Sequence, residues 1–100
     1  MIVFKLFKQR KDGSLGPLFI NQKLRIPVGE WLSAESHPTK NFAYRPGFHT
    51  LLQPVAPHLK MMENRVWAKC EIEDFEFFHR TEAYGGRWAL ANRMRVLELY

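Results

Sequence analysis

The sequence predicts an α+β fold, organised as a single compact domain over residues 1–100 with a mainly antiparallel β-sheet and one or two short helices. One hundred residues suffice for one hydrophobic core and leave no room for a second. Residues 65–75 alternate apolar and mostly charged side chains with a period of two, which is typical of a half-buried strand. Residues 29–41 have helical character only in their middle, before Pro38, and predict one or two helical turns followed by a loop.

The first quarter of the chain predicts three strands. Residues 2–8 are β-branched and aromatic, interrupted by lysines, and residues 11–16 have the composition of a turn. Residues 17–20 and 23–28 then predict a short hairpin. Because proline cannot donate a hydrogen bond to a neighbouring strand, Pro27 places the second of these strands at an edge or at its end.

The second half predicts further strands. Pro46 and Gly47 fit the central positions of a type II turn, from which residues 48–52 leave as a strand. Residues 79–86 have the composition of a loop and end in a glycine pair. Bulky and β-branched residues favour a final strand over 93–99.

Cysteine usage and hydropathy predict a soluble cytoplasmic protein. Cys70 is the only cysteine, so it forms no internal disulfide, and it belongs to the apolar face of the strand over 65–75. We therefore expect a buried thiol rather than a nucleophile. Nothing resembles a secretory signal, and no stretch approaches the roughly 20 apolar residues of a membrane span.

The charge favours an anionic partner. The net charge is +5 and the sequence pI is about 9.7, values that fit a nucleotide, a nucleic acid or an acidic protein surface, although many small basic domains bind none of these. The basic residues are scattered and form no long run, so a disordered nucleic-acid-binding tail is not expected. No membrane partner is expected either.

Common catalytic and metal motifs are missing from the sequence. It has no glycine-rich phosphate loop and no serine in a nucleophile elbow. One cysteine and four widely spaced histidines lack zinc-ligand spacing, so we expect neither a metal nor a cofactor, although His37, His49 and His58 could converge in the fold. We accordingly favour a protein that is not an enzyme.

The stretch AYRPGFHT, residues 43–50, carries the candidate site. Strand alternation after the turn sends Phe48 and His49 to opposite faces. If Phe48 enters the core, His49 shares a partly exposed surface with Tyr44 and Arg45, where a cation and aromatic rings can bind an anionic group and stack on a planar one. The alternative is a structural corner, in which the same polar side chains only satisfy the fold.

Two segments resemble a known family. GFHTLLQPVA at 47–56 and WALANRMRVLEL at 88–99 are similar to motifs of ADP-ribosyltransferase domains, the fold of bacterial toxins and poly-ADP-ribose polymerases. The resemblance implies a shortened domain with a nucleotide-shaped cleft and His49 near the nicotinamide ribose. Arg87 or Trp88 stands where the family has its catalytic glutamate, which implies an inactive member. The chain also resembles small phage and prophage proteins in style.

These observations predict a small binding module for an anionic nucleotide-like ligand, as in a phage accessory or counter-defence protein that sequesters it. The first alternative is a protein-interaction or inhibitor module acting on a host protein, with Trp31, Trp67 and Trp88 either as anchors or as core residues. A nucleic-acid-binding domain and an ADP-ribosyltransferase-like enzyme are further alternatives. The enzyme would need a carboxylate opposite His49, which the sequence does not place.

Overall fold

The computed structural model of the chain describes residues 1–18, 25–34, 47–55, 62–84 and 86–100. Within these ranges the chain forms six strands and one turn of 3-10 helix. The strands are β1 (Ile2–Gln9), β2 (Leu15–Gly16), β3 (Trp31–Ser33), β4 (Phe48–Leu51), β5 (Arg65–His79) and β6 (Arg87–Leu99), and the helical turn is Glu82–Tyr84.

Four of the strands pair in a closed circuit. β1 pairs with β5, β5 with β6, β6 with β4, and β4 returns to β1 through the pair Phe4 and Leu51. All of these pairings are antiparallel. β2 also pairs antiparallel with β1, and β3 pairs antiparallel with β6. The circuit encloses one face of each strand, and that face forms the core.

The alternation predicted for residues 65–75 is confirmed. On β5, Ala68, Cys70 and Ile72 are buried, whereas Glu73 is exposed and Glu71 only half-buried. Apolar side chains at every second position therefore line the inside of the circuit. The buried residues of this core are Val3, Phe7, Leu15, Ile26, Ala68, Cys70, Ile72, Ala89, Ala91, Met94 and Val96.

The alternation changes phase in the middle of the β5–β6 pair. Residues 88–91 of β6 are all buried, but the inner core takes odd-numbered Ala89 and Ala91 there and even-numbered Met94 and Val96 farther along. The change lies opposite Asp74, which has a φ of 50° and is the only non-glycine residue with positive φ among those described. A left-handed residue in a strand adds twist, so the two halves of β5 present different sets of side chains to the core.

The α+β prediction is wrong: among the described residues the fold is nearly all β, and the only helical element is one 3-10 turn. Part of the segment read as helical, Trp31–Ser33, is strand β3 instead. Trp31 pairs with Arg95 and Leu32 with Met94, and the backbone N–H of Ala34 donates to the Asn92 carbonyl. Long-range pairing with β6 outweighs the weak helical propensity of so short a segment. The rest of the segment, from residue 35 on, lies outside the described residues.

Three of the remaining strand predictions are confirmed. The strands expected over 2–8 and 48–52 are confirmed as β1 and β4, and the strand expected over 93–99 is the second half of a longer β6. Half of the hairpin expected over 17–28, residues 19–24, lies outside the described residues, and residues 25–28 form no strand but two isolated bridges, Ile26 with Leu15 and Val28 with Val96. In the part of the chain that the structure describes, no helix is long and apolar enough to cross a membrane.

Candidate functional site

Of the three residues predicted to bind a ligand, only His49 falls in the described part of the chain. Tyr44 and Arg45 lie outside the described residues, as do His37 and His58. The meeting of Tyr44, Arg45 and His49 on one surface therefore stays a prediction. The position of His49 itself can be analysed in detail.

Strand β4 separates Phe48 and His49 as alternation requires. Phe48 is half-buried and packs against the inner core, and Thr50 on the same face is fully buried with its Oγ1 donating to the Ala89 carbonyl at 2.7 Å. His49 points to the other face and is also half-buried. Gly47 immediately precedes β4 and has a φ of 141°, a conformation that residues with side chains rarely adopt.

His49 lies against a group of aromatic rings, which we call the His49 cluster: His49, Phe78, Arg80 and Trp88. The imidazole meets Phe78 and Trp88 edge-on, with ring centroids 6.0 and 6.4 Å away. The Trp88 indole donates its Nε1–H to the Tyr84 carbonyl at 2.7 Å, which fixes the orientation of the ring. The cluster joins three strands, because His49 comes from β4, Trp88 from β6, and Phe78 from the end of β5.

Two exposed arginines stand over aromatic rings at this end of the sheet. The Arg80 guanidinium carbon lies 5.7 Å from the ring centroids of both Phe78 and Trp88, and that of Arg87 lies 4.2 Å from Phe77. Within the described ranges, neither guanidinium forms an ion pair with a carboxylate. An unneutralised guanidinium held over a ring keeps its donors for an anion.

Other arginines of the described residues do have acidic partners. Three such pairs occur: Arg25 with Asp12, Arg93 with Glu73, and Arg95 with Glu71. The contrast separates two regions of the surface. Positive charge is neutralised along the middle of the β5–β6 pair and left unneutralised near the hairpin that joins these strands.

A half-buried lysine, Lys5, supports the backbone of β4. The Lys5 ammonium donates to the His49 carbonyl at 2.8 Å, and its side chain lies on the face that carries Val3 and Phe7. Burial lowers the pKa of Lys5 to about 8, an effect that the negative charge of the neighbouring Cys70, when ionised, partly opposes. Burial also raises the pKa of Cys70 to about 11, so the thiol is protonated at neutral pH.

A cleft of about 260 Å³ adjoins the His49 cluster. It is lined by Leu51, Leu52, Gln53, Val55, Glu82, Gly86 and Arg87. Leu51 connects the two sites, since it also packs against Trp88. Sites for whole small molecules usually have 300–1,000 Å³, so the cleft has room for one ring or one phosphate group rather than for a complete dinucleotide.

Glu76 is the carboxylate whose distance from His49 follows from the strand register. His49 pairs with Leu90, which on its other side pairs with Glu76. Two strand spacings of about 4.8 Å separate His49 from Glu76, well beyond hydrogen-bond reach. Among the described residues, no group of three or more histidine, cysteine, aspartate and glutamate side chains could hold a metal ion.

The three tryptophans divide between core and partial exposure. Trp88 is buried at 6% exposure, and Trp67 is half-buried where it packs against Leu51 and Trp88. Trp31 is half-buried with its ring 4.9 Å from the guanidinium carbons of both Arg93 and Arg95. None of the three is a fully exposed anchor.

Sequence reasoning missed Phe78 and Arg80, and it considered Trp88 as a core residue, as an interaction anchor, or as the residue standing where the resembled family has its glutamate. These residues meet because β5 and β6 form one long hairpin whose register places Phe78 opposite Trp88. The signal was present in the sequence as a loop at 79–86 between two apolar runs. Pairing those runs across the loop would have brought the two rings together.

No protein-family model matches this chain, and no curated protein or solved structure matches it either.

Proposed function

We propose that this protein is a small module that binds an anionic nucleotide-like ligand at the His49 cluster and the adjoining cleft. The observation that carries the proposal is the pair of exposed guanidinium groups, Arg80 and Arg87, which lie over aromatic rings without acidic partners among the described residues. Guanidinium forks bind phosphate oxygens in a bidentate way.

The aromatic rings supply the second half of the recognition. A base or another planar group stacks on aromatic side chains, and each such stack contributes about 1–3 kcal/mol. His49 and Phe78 are half-buried, so they expose part of their rings beside Arg80. We therefore assign the phosphate to the arginines and the planar group to the rings.

Binding without turnover fits the same residues. Glu76 lies two strand spacings from His49, and the cleft would hold only part of a dinucleotide. The proposal is thus a protein that sequesters its ligand in the cytoplasm, as a phage accessory or counter-defence protein would. The resemblance to ADP-ribosyltransferases makes ADP-ribose and NAD the first ligands to test.

A thermal-shift panel tests this function. NAD, ADP-ribose and cyclic nucleotides are each added to the protein, and a true ligand at one hundred times its dissociation constant stabilises the fold by about 2.7 kcal/mol. Arg80→Ala should reduce that shift, whereas Arg25→Ala, which removes an exposed arginine paired with Asp12, should not. The absence of a shift with every nucleotide at millimolar concentration would refute the proposal.

The panel also separates nucleotide binding from nucleic-acid binding. A nucleic acid held through several phosphates loses affinity steeply with added salt, with a log–log slope near the number of contacts. A mononucleotide contacting two arginines should give a slope of about two or less. A steeper slope with oligonucleotides, together with no response to mononucleotides, would favour the nucleic-acid alternative.

A further inference from the structure

Arg80 and Arg87 lie on opposite faces of the β5–β6 hairpin. Phe77 and Phe78 are consecutive residues of β5, so their side chains point to opposite faces of the strand. The Arg87 guanidinium carbon lies 4.2 Å from the ring centroid of Phe77, whereas that of Arg80 lies 5.7 Å from the ring centroid of Phe78. The two guanidinium groups therefore contact different parts of a bound ligand.

The cleft of about 260 Å³ lies on the face that carries Arg87 and Phe77. Ala89 is opposite Phe77 in the strand register and belongs to the inner core, against which Leu52 packs. Leu52 and Arg87 both line the cleft. We call Arg87, Phe77 and the residues that line the cleft the Arg87 subsite.

A carboxylate faces the same cleft without neutralising Arg87. Glu82 and Arg87 both line the cleft and are both exposed, and among the described residues neither side chain forms a hydrogen bond or an ion pair. The Glu82 carboxylate lies beside Gly86, where an added Cβ would be 3.5 Å from each of its oxygens. The cleft therefore offers a ligand one anionic acceptor and one cationic donor.

These groups select the class of ligand. A carboxylate repels a phosphate and accepts hydrogen bonds from hydroxyl groups, whereas a guanidinium binds phosphate oxygens through paired N–H donors. Gln53 adds an amide that both donates and accepts, and Leu52 and Val55 supply apolar walls. A sugar ring that carries one phosphate combines the hydroxyl groups, the anion and the size that this cleft fits.

We propose that the Arg87 subsite binds a sugar phosphate, with the phosphate at Arg87 and the sugar hydroxyl groups at Glu82 and Gln53. The assignment rests on the proposed function for the identity of the whole ligand, which it divides between the two faces of the hairpin. The base stacks on the rings of the His49 cluster, the sugar phosphate occupies the cleft, and Arg80 binds a further phosphate. A sugar phosphate without a base is therefore enough to occupy the Arg87 subsite.

Calorimetric titration with ribose 5-phosphate tests the subsite with such a fragment. We expect saturable binding by the wild type, and binding weaker by about tenfold in both Arg87→Ala and Glu82→Gln. Arg80→Ala should leave this binding unchanged, because Arg80 lies on the other face. Glu76→Gln is the matched control for Glu82, since it removes an exposed carboxylate of β5 that does not line the cleft. Inorganic phosphate and ribose should each bind more weakly than ribose 5-phosphate.

Three results would overturn the sugar-phosphate subsite and leave the proposed function standing. They are the absence of ribose 5-phosphate binding, equal affinity for inorganic phosphate, and a loss in Arg80→Ala as large as in Arg87→Ala. The proposed function fails separately, if ADP-ribose, NAD and cyclic nucleotides do not bind even though ribose 5-phosphate does. Arg87 and Glu82 are both exposed and lie on different elements, so a folding defect in one variant leaves the other as the test.

Discussion

The ring of Phe78 stacks on the indole of Trp88 across the β5–β6 pair, with centroids 6.2 Å apart and planes 20° from parallel. The two residues are directly opposed in the register of the hairpin. Their contact holds the hairpin end against β4, because Trp88 also packs on Leu51 and lies 6.4 Å from the His49 ring. The stability of this end and the shape of the candidate site therefore depend on the same ring.

Replacing Trp88 should destabilise the protein strongly. Trp88→Ala removes a buried indole and should lower the free energy of unfolding by about 3–5 kcal/mol. Tyr100→Ala is the control, since Tyr100 is 72% exposed and contacts mainly Phe4, and it should cost under about 1 kcal/mol. Urea unfolding measures both. Equal costs would show that Trp88 contributes no more than a surface ring.

Lys5 should make stability depend on alkaline pH. Burial lowers its folded pKa to about 8 from the usual 10.5, so between these values the unfolded chain binds more protons than the folded one. Stability should therefore rise with pH through this window, by about 1–2 kcal/mol after allowance for the partial exposure of the side chain. The difference in unfolding free energy between wild type and Lys5→Met measures this rise. A difference that is flat with pH would contradict the assignment.

Cys70 should resist thiol reagents in the folded protein. Its side chain is fully buried, and burial raises its pKa to about 11, so neither access nor thiolate favours reaction. We expect labelling by a maleimide or a disulfide reagent at neutral pH to follow the unfolding equilibrium, accelerating with urea as the unfolded fraction grows. Rapid labelling without denaturant would show that the core around β5 is open.

Gly47 should tolerate no side chain. A Cβ added there would lie 2.7 Å from Leu90 Cδ1 and 3.3 Å from the Ala91 carbonyl oxygen, at a φ of 141°. Gly47→Ala should therefore cost about 2–4 kcal/mol in unfolding free energy, from strain and from displacement of Leu90. Gly13→Ala is the matched control, because Gly13 also has positive φ but open space around it, and it should cost about 1 kcal/mol. Similar costs would remove the packing argument.

The sequence was informative where one local pattern determines one face of an element. The alternation around Cys70 predicted both the strand and the buried thiol, because apolar side chains that recur with a period of two are typical of a strand with one buried face. The strand conformation of residues 2–8 and of residues 48–52 was likewise predicted from the local sequence alone. In each case neighbouring residues carried the whole signal.

The sequence was misleading where distant residues decide the structure. Trp31–Ser33 is a strand because β6 pairs with it, and the sequence of the segment itself does not indicate that pairing. The candidate site depends on distance in the same way: His49 was identified from its own strand, but Phe78 and Arg80 join it only through the register of a long hairpin. Side chains brought together by register could not be found from local composition.

The most direct test of the proposed function is a calorimetric titration of ADP-ribose into the wild-type protein and two single-arginine variants. We predict saturable binding by the wild type, binding about tenfold weaker for Arg80→Ala, equivalent to about 1.4 kcal/mol, and unchanged binding for Arg25→Ala. NAD and cyclic nucleotides are titrated in the same way if ADP-ribose gives no heat. Binding that is lost equally in both variants, or no binding of any of these nucleotides to the wild type, would contradict the assignment of the His49 cluster as an anion-binding site.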